Sequence, residues 1–336
     1  MNFGKIDQWI LFGGGPILSG LSLKLKEHQF KVFVVTSDRH FCDFINISEK
    51  ITLRDFLICN DIDFLVSEDV NNDSKVMSKI TKNTLGVSIG AAWIFKADFI
   101  KMFEGKLLNI HPTRLPQDRG AGGYSWRILR NERLGFSLIH QVDTGVDTGN
   151  IINYDEYFYP HSCRFPIDYK NYYVDKTLEL LCRFIGNSKK GAEFEAIKQQ
   201  EYFSTYWPRL NTDKHGFIDW NWRVKDIEQF ICAFDTPYKG ASTFLNGLRV
   251  RLKNCFSVIN DGIFHPFQRG FVYKISGSTM FVAAAEGSLI IQSVKDENDI
   301  DIFNNVKIGD RFHTPIKYLE EARQYRAVYT ATGLEK

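Results

Sequence analysis

Residues 9–18 read WILFGGGPIL: an apolar run, three glycines and a proline. An uninterrupted apolar run suits a strand covered on both faces, and consecutive glycines allow a tight turn. Pro16 suits the first turn of a following helix, where its missing N–H leaves no partner unpaired. A helix is expected over about 17–28, and FKVFVVT at 30–36 reads as a second buried strand.

Apolar runs recur at 63–66 (DFLV), 85–89 (LGVSI) and 106–111 (KLLNIH), separated by polar or amphipathic segments. This alternation predicts an α/β, Rossmann-like domain whose mainly parallel sheet is covered on both faces. An alternating strand is expected in FSLIHQ at 136–141, and the character changes after residue 150. A helix over 171–186 is followed by a polar stretch, NSKKGAEFEAIKQQ at 187–200, which reads as a connection. Beyond 205, short runs at 248–256, 270–275, 279–284 and 288–294 are punctuated by glycine and asparagine. They predict a smaller β-rich barrel or sandwich, so the expected domains are 1–200 and 201–336.

The 336 residues carry 42 Lys and Arg against 40 Asp and Glu, a net charge of +2. That balance argues against a broadly basic surface for nucleic acid. At 44% apolar and 24% charged, the composition is that of a globular protein and not a disordered one. No apolar run reaches the ~20 residues of a membrane span. The first ten residues, with Lys5 and Asp7, lack the apolar stretch of a secretory signal. Six cysteines without a C-x-x-C pair read as reduced thiols of a cytoplasmic protein, with no metal site expected.

FGGGP also invites a dinucleotide-binding reading. From Gly13, however, Leu18 falls where the third glycine of G-x-G-x-x-G belongs, although Asp38 stands at a distance suited to a ribose. A glycine-rich turn equally serves a tight chain reversal, so this reading is the alternative.

The segment LLNIHPTRLPQDRG at 107–120 carries more chemistry. In a strand, Asn109 and His111 emerge on one face, and Pro112 ends the ladder at a carboxyl edge. Open parallel sheets bind ligands at that edge. An amide donor and an imidazole suit an attacked carbonyl, one holding the oxygen and the other moving a proton. Alone, N-x-H is also a common turn pattern. FSLIHQVDTGVDTG at 136–149 then contains Asp-Thr-Gly twice, at Asp143 and Asp147. An aspartate there often caps backbone amides, and spacing does not say which one does more.

Asn109-Ile110-His111-Pro112, Leu115-Pro116, Arg119-Gly120 and Val146-Asp147-Thr148-Gly149 together resemble the formyltransferases that use 10-formyltetrahydrofolate. That family includes methionyl-tRNA and glycinamide ribonucleotide formyltransferases and the N-formyltransferases of nucleotide-linked amino sugars. Its aspartate follows its histidine by about 36 positions, as Asp147 follows His111, so the resemblance selects Asp147 over Asp143. It implies that Asn109 holds the formyl oxygen and that His111 assists at the oxyanion or moves a proton. Asp147 would orient His111 and take the proton of the attacking amine. The folate donor would lie against Gly90, Ala91, Ala92, Trp93, Ile94 and Phe95 on one side. Val142, Asp143 and Asp147 would face it from the other.

Thr205-Tyr206-Trp207-Pro208, Gly216-Phe217-Ile218-Asp219-Trp220 and Phe234-Asp235-Thr236-Pro237-Tyr238-Lys239-Gly240-Ala241 resemble the opening of the family's second, OB-like domain. These blocks look closer to the sugar enzymes than to the tRNA enzyme. The implied acceptor is a nucleotide-linked amino-deoxysugar for bacterial surface glycans such as lipopolysaccharide O-antigen. Arg114 and Arg119 are candidates for its diphosphate, and Tyr206, Trp207 and Tyr238 for its rings. The aromatics fit interdomain packing equally well, and Trp220 and Trp222 read as core. The loop departs from the family at Pro112-Thr113-Arg114-Leu115 and at Ala121-Gly122-Gly123-Tyr124-Ser125-Trp126, which bears on the acceptor. Methionyl-tRNA as acceptor, hydrolysis of the donor and a non-catalytic binding role are the alternatives. A homodimer is compatible with the aromatic-rich second domain.

Overall fold

β1 (Gln8–Gly13) leads through α1 (Pro16–Glu27) into β2 (Lys31–Thr36), as the opening stretch requires. The computed structural model describes residues 1–46, 49–120, 123–330 and 333–334. Five more strands join the sheet: β3 (Asp63–Val66), β4 (Thr84–Ile89), β5 (Leu107–His111), β6 (Leu134–Gln141) and β7 (Ile151–Phe158). Their order is β3-β2-β1-β4-β5-β6-β7. The first five run parallel, and the pairings β5–β6 and β6–β7 are antiparallel.

β1 is apolar throughout because each face meets a different layer. Trp9 and Leu11 pack with Leu18 and Leu21 of α1 and with Leu180 and Phe184 of α3 (Pro166–Lys189). Ile10 and Phe12 face Phe95, Phe99 and Phe103 on the other side. Gly20 lets the two helices close, since a Cβ there would stand 2.9 Å from the Leu178 methyls. The glycine turn has a similar cause: a Cβ on Gly13 would stand 2.1 Å from the Ile89 carbonyl oxygen. Close backbone approach at the β4 edge thus accounts for that glycine without a nucleotide.

Three expectations shift. β6 does not alternate, because residues 135–140 are all buried under layers on both faces. β7 carries the sheet past residue 150, where the sequence suggested a change of character. α3 begins at Pro166 rather than 171, helped by the Asp168 carboxylate accepting the Phe165 N–H at 2.9 Å. It also runs on to Lys189, into the stretch read as a connection.

The second domain contains α4 (Val224–Ala233) and a sheet of six strands: β8 (Ala241–Leu245), β9 (Leu248–Ile259), β10 (Val272–Ser276), β11 (Thr279–Ala284), β12 (Gly287–Lys295) and β13 (Phe312–His313). They form an antiparallel sheet in the order β10-β11-β12-β9-β8-β13. The sheet curls until its ends meet at an antiparallel bridge between Phe271 and Arg311. The Val272 N–H donates to the Asp310 carbonyl at 2.9 Å beside it. This is the smaller β-rich barrel the short runs predict, filled by Leu252, Met280, Val282, Leu289 and Ile291. Val224, Ile227 and Ile231 of α4 join that core, and so does Ile128 from α2 (Tyr124–Leu129) of the α/β domain. The two domains share apolar packing along their seam.

Candidate functional site

The site grows from one cross-strand pair. Register places Asn109 of β5 directly opposite His140 of β6, and opposite residues of an antiparallel pair share a face. His111 ends β5 at the carboxyl edge of the sheet. Asp147 comes from the loop between β6 and β7 and holds a left-handed backbone, φ 56°. Such a conformation persists in a non-glycine residue only where its surroundings fix it.

Both Asp-Thr-Gly copies shape that loop, and they do different work. Asp143 accepts the Gly145 N–H at 3.1 Å and the Thr148 hydroxyl at 2.5 Å, so it is a turn cap. Gly149 lies under the end of β6, where a Cβ would stand 1.9 Å from the Gln141 carbonyl oxygen. Asp147 instead points inward: its Oδ1 is 3.5 Å from His111 Nδ1 and 3.7 Å from His140 Nε2. Its Oδ2 accepts the Gly120 N–H at 3.3 Å, joining the Arg119-Gly120 motif to the same carboxylate.

The hydrogen bonds fix the tautomer of His111. Thr113 Oγ1 donates to the Asp118 carbonyl at 2.6 Å, which uses its only hydrogen. At 2.7 Å from His111 Nε2 the hydroxyl can then only accept, so Nε2 carries the hydrogen. In neutral His111, Nδ1 is therefore bare and faces Asp147. Burial depresses the His111 pKa below 6.5, against the opposing pull of the Asp147 charge. For Asp147, burial works upward, but the nearby His140 and His111 imidazoles, when protonated, and the Gly120 N–H outweigh it. The carboxyl is held down at about 2. An ionised carboxylate beside a neutral imidazole makes a proton acceptor.

This cluster opens into a cleft of about 1170 Å³ lined by both domains. Gly90, Ala91, Trp93, Ile94, Phe95, Val142 and Asp143 line it, whereas Ala92 packs onto the phenylalanine layer beneath. Trp93 is anchored by its indole N–H on the Glu68 carbonyl at 2.9 Å. Asn71 braces the same loop, donating to the Ile94 carbonyl and accepting the Lys96 N–H. Ile94 is left 76% exposed.

Tyr206 and Tyr238 line the cleft from the side of the second domain, together with Arg209 and Lys239, and Lys170 joins them from α3. The other three acceptor candidates lie off it. Arg119 is buried, with its guanidinium on Gln199 Oε1 at 3.0 Å and Glu201 Oε2 at 2.7 Å. Gln199 in turn donates to the Asp147 carbonyl at 2.9 Å, so Arg119 supports the β6–β7 loop from behind. Arg114 is exposed, 5.9 Å from the Phe136 ring. Trp207 packs on Trp126 with centroids 5.2 Å apart and lies under Arg130. Trp220 is core, as expected, with its N–H on Thr243 Oγ1 at 2.9 Å. Ala121 and Gly122 lie outside the described residues.

Sequence reasoning missed His140, Lys170 and Lys239. Only the antiparallel register brings His140 to Asn109, and nothing local to HQVD signals it. Among the described residues, His111, His140 and Asp147 are also the one group of three whose potential ligand atoms lie within 4.8 Å of one another. Their donor set could hold a cation as well as a proton.

Two family profiles match: "Formyl transferase" over residues 9–157 and "Formyl transferase, C-terminal domain" over 211–302. A methionyl-tRNA formyltransferase of Syntrophus aciditrophicus is 30% identical over 57% of this chain and 59% of its own length. That of Fusobacterium nucleatum is 25% identical over 90% of this chain and 99% of its own. Among solved structures, the N-formyltransferase from Helicobacter canadensis with folinic acid and dTDP-3-aminofucose aligns with a TM-score of 0.63 at 20% identity. That alignment covers 85% of this chain and 98% of the other, and it bears on the fold alone. With both profiles matched in chain order over the α/β domain and the barrel, the chain belongs to the formyl transferase family, enzymes that use 10-formyltetrahydrofolate as donor.

Proposed function

We propose that the chain transfers the formyl group of 10-formyltetrahydrofolate to the amine of a nucleotide-linked amino-deoxysugar. Residues 1–200 would form the donor and catalytic unit, and 201–336 the barrel that closes the acceptor side. The pteridine would lie between the 90–95 backbone and the 142–147 loop. The supporting observation is the cleft itself: Asn109, His111 and Asp147 stand along one wall, and tyrosines and cations along the acceptor side.

The amine attacks the formyl carbon, and an Asn109 N–H holds the oxygen as charge builds on it. Removing one such donor costs ~10²–10³ in rate. The amine proton passes to His111 Nδ1 and not, as the resemblance implied, to Asp147, whose carboxyl is held down at about 2 and instead stabilises the imidazolium. The C–N bond to the donor then breaks, and the proton returns to the departing N10 nitrogen. Loss of a proton-transfer group costs ~10²–10⁴.

Lys170, Arg209 and Lys239 favour an anionic acceptor, and Tyr206 and Tyr238 offer ring faces for a base or sugar. The dTDP-3-aminofucose bound by the Helicobacter canadensis neighbour and the TYWP and FDTPYKGA blocks support the same reading. Its place would be cytoplasmic sugar-nucleotide metabolism feeding surface glycans such as O-antigen. The tRNA reading keeps one argument, since the sequence relatives named above are methionyl-tRNA formyltransferases. Following tetrahydrofolate formation with the donor, with and without a dTDP-linked amino sugar, tests the proposal. Amine-dependent release supports it, and release without amine would make the chain a hydrolase.

A further inference from the structure

His140 belongs to none of the proposed catalytic steps, yet both of its ring nitrogens are engaged. It is 2% exposed, and its Nδ1 lies 2.7 Å from the Gln141 carbonyl oxygen. A carbonyl only accepts, so Nδ1 must donate, and in neutral His140 the remaining nitrogen, Nε2, is an acceptor. Nε2 sits 3.0 Å from the Asn109 side-chain amide. Only the NH₂ end of that amide can satisfy it. The carbonyl end would set two acceptors against each other in a buried place.

We infer that His140 is a positioning residue that locks the Asn109 amide in one orientation, leaving its second N–H for the formyl oxygen. The inference rests on the proposed formyl transfer only for its effect on turnover; the amide orientation itself is independent of it. Unheld, the Asn109 amide could turn its oxygen to the oxyanion position, where it repels the developing charge. His111 cannot replace the lock, since its ring centroid is 6.0 Å from that of His140 and its Nε2 is engaged with Thr113. Asp147 faces His140 Nε2 at 3.7 Å but offers no hydrogen to it when ionised.

Two variants separate positioning from mere packing. His140→Gln retains a carbonyl acceptor near the Nε2 position, whereas His140→Leu keeps bulk and removes it. We expect His140→Leu to lower kcat by about 10²-fold, as for a lost oxyanion donor, with the donor KM changed less than about threefold. His140→Gln should recover most of that loss. Equal losses in both variants, or full turnover in His140→Leu, would overturn the inference. The second readout needs no acceptor: long-range ¹H–¹⁵N spectra of the whole chain should show His140 protonated at Nδ1 and bare at Nε2. The Asn109 NH₂ pair should shift in His140→Leu and much less in His140→Gln. A proton on Nε2 of neutral His140, or unmoved Asn109 resonances, would refute the lock. If no acceptor is ever formylled, these spectra still decide it.

Discussion

Gly120 lies under the ring of Tyr206: a Cβ on Gly120 would stand 2.4 Å from Tyr206 Cε2. The contact is held by backbone pairing, with the Arg119 N–H donating to the Thr205 carbonyl at 3.0 Å. Two motifs 80 or more residues apart in the chain thus meet beside the Asp147 carboxylate. Gly120 also has φ +88°, a conformation that disfavours a side chain by about 1–2 kcal/mol. Gly120→Ala should therefore lower thermal stability modestly and displace Tyr206 from the cleft. Its kinetic signature is a raised acceptor KM, read by initial rates against acceptor concentration. An unchanged KM would detach Tyr206 from the acceptor.

The two neighbouring aspartates should respond very differently to the same substitution. Asp147→Asn removes the charge that stabilises protonated His111, and a loss of ~10²–10⁴ in kcat is expected. Asp143→Asn keeps an oxygen able to accept from Gly145 and Thr148, so turnover should stay within a few-fold. Single-turnover rates of both variants, with circular dichroism to confirm folding, make the comparison. The reverse order would mean that the wrong aspartate has been chosen.

Turnover should fall on an acid limb below pH 6.5. His111 must be neutral to accept a proton, and burial holds its folded pKa below the ordinary 6.5. The unfolded chain then takes up that proton first as pH falls. The stability His111 contributes is complete above 6.5 and is lost as pH drops through its lowered folded value. Asp147 acts lower down: its contribution is present above 3.8 and disappears as pH falls towards about 2. A pH profile of kcat/KM, with melting temperatures over the same range, checks both statements. An acid limb centred above 6.5 would contradict the burial argument.

Arg119 should behave as a structural group. Arg119→Met leaves Gln199 Oε1 without its buried donor, at a cost of about 1–3 kcal/mol. Because Gln199 holds the Asp147 and Gly149 carbonyls, kcat should fall along with stability while the acceptor KM stays put. Chemical denaturation and steady-state kinetics separate these effects, and a selective rise in acceptor KM would return Arg119 to the acceptor.

Much of this was legible in the sequence because the governing signals are local. WILFGGGPIL showed β1, its turn and α1, since a doubly covered strand must be apolar throughout and Pro16 must open its helix. The spacing of Asn109 and His111 placed them on one face. What escaped depends on partners far along the chain. β7 alternates half-buried and exposed residues beyond its two buried isoleucines, as an edge strand does, but its sequence, IINYDEYF, is too polar to stand out alone. Arg119 looked like a phosphate fork, and only the fold supplies Gln199 and Glu201 to occupy it. His140 became visible only when β5 and β6 paired.

An amine on a nucleotide-linked sugar is the proposed recipient of the formyl group. The direct measurement is a competition in one vessel. 10-Formyltetrahydrofolate is offered to a panel of nucleotide-linked amino sugars and to methionyl-tRNA, and the products are read by mass spectrometry. One N-formylated sugar nucleotide is expected, with a mass gain of about 28 Da on that acceptor, and no formylmethionyl-tRNA. Formyl groups found only on the tRNA would contradict it.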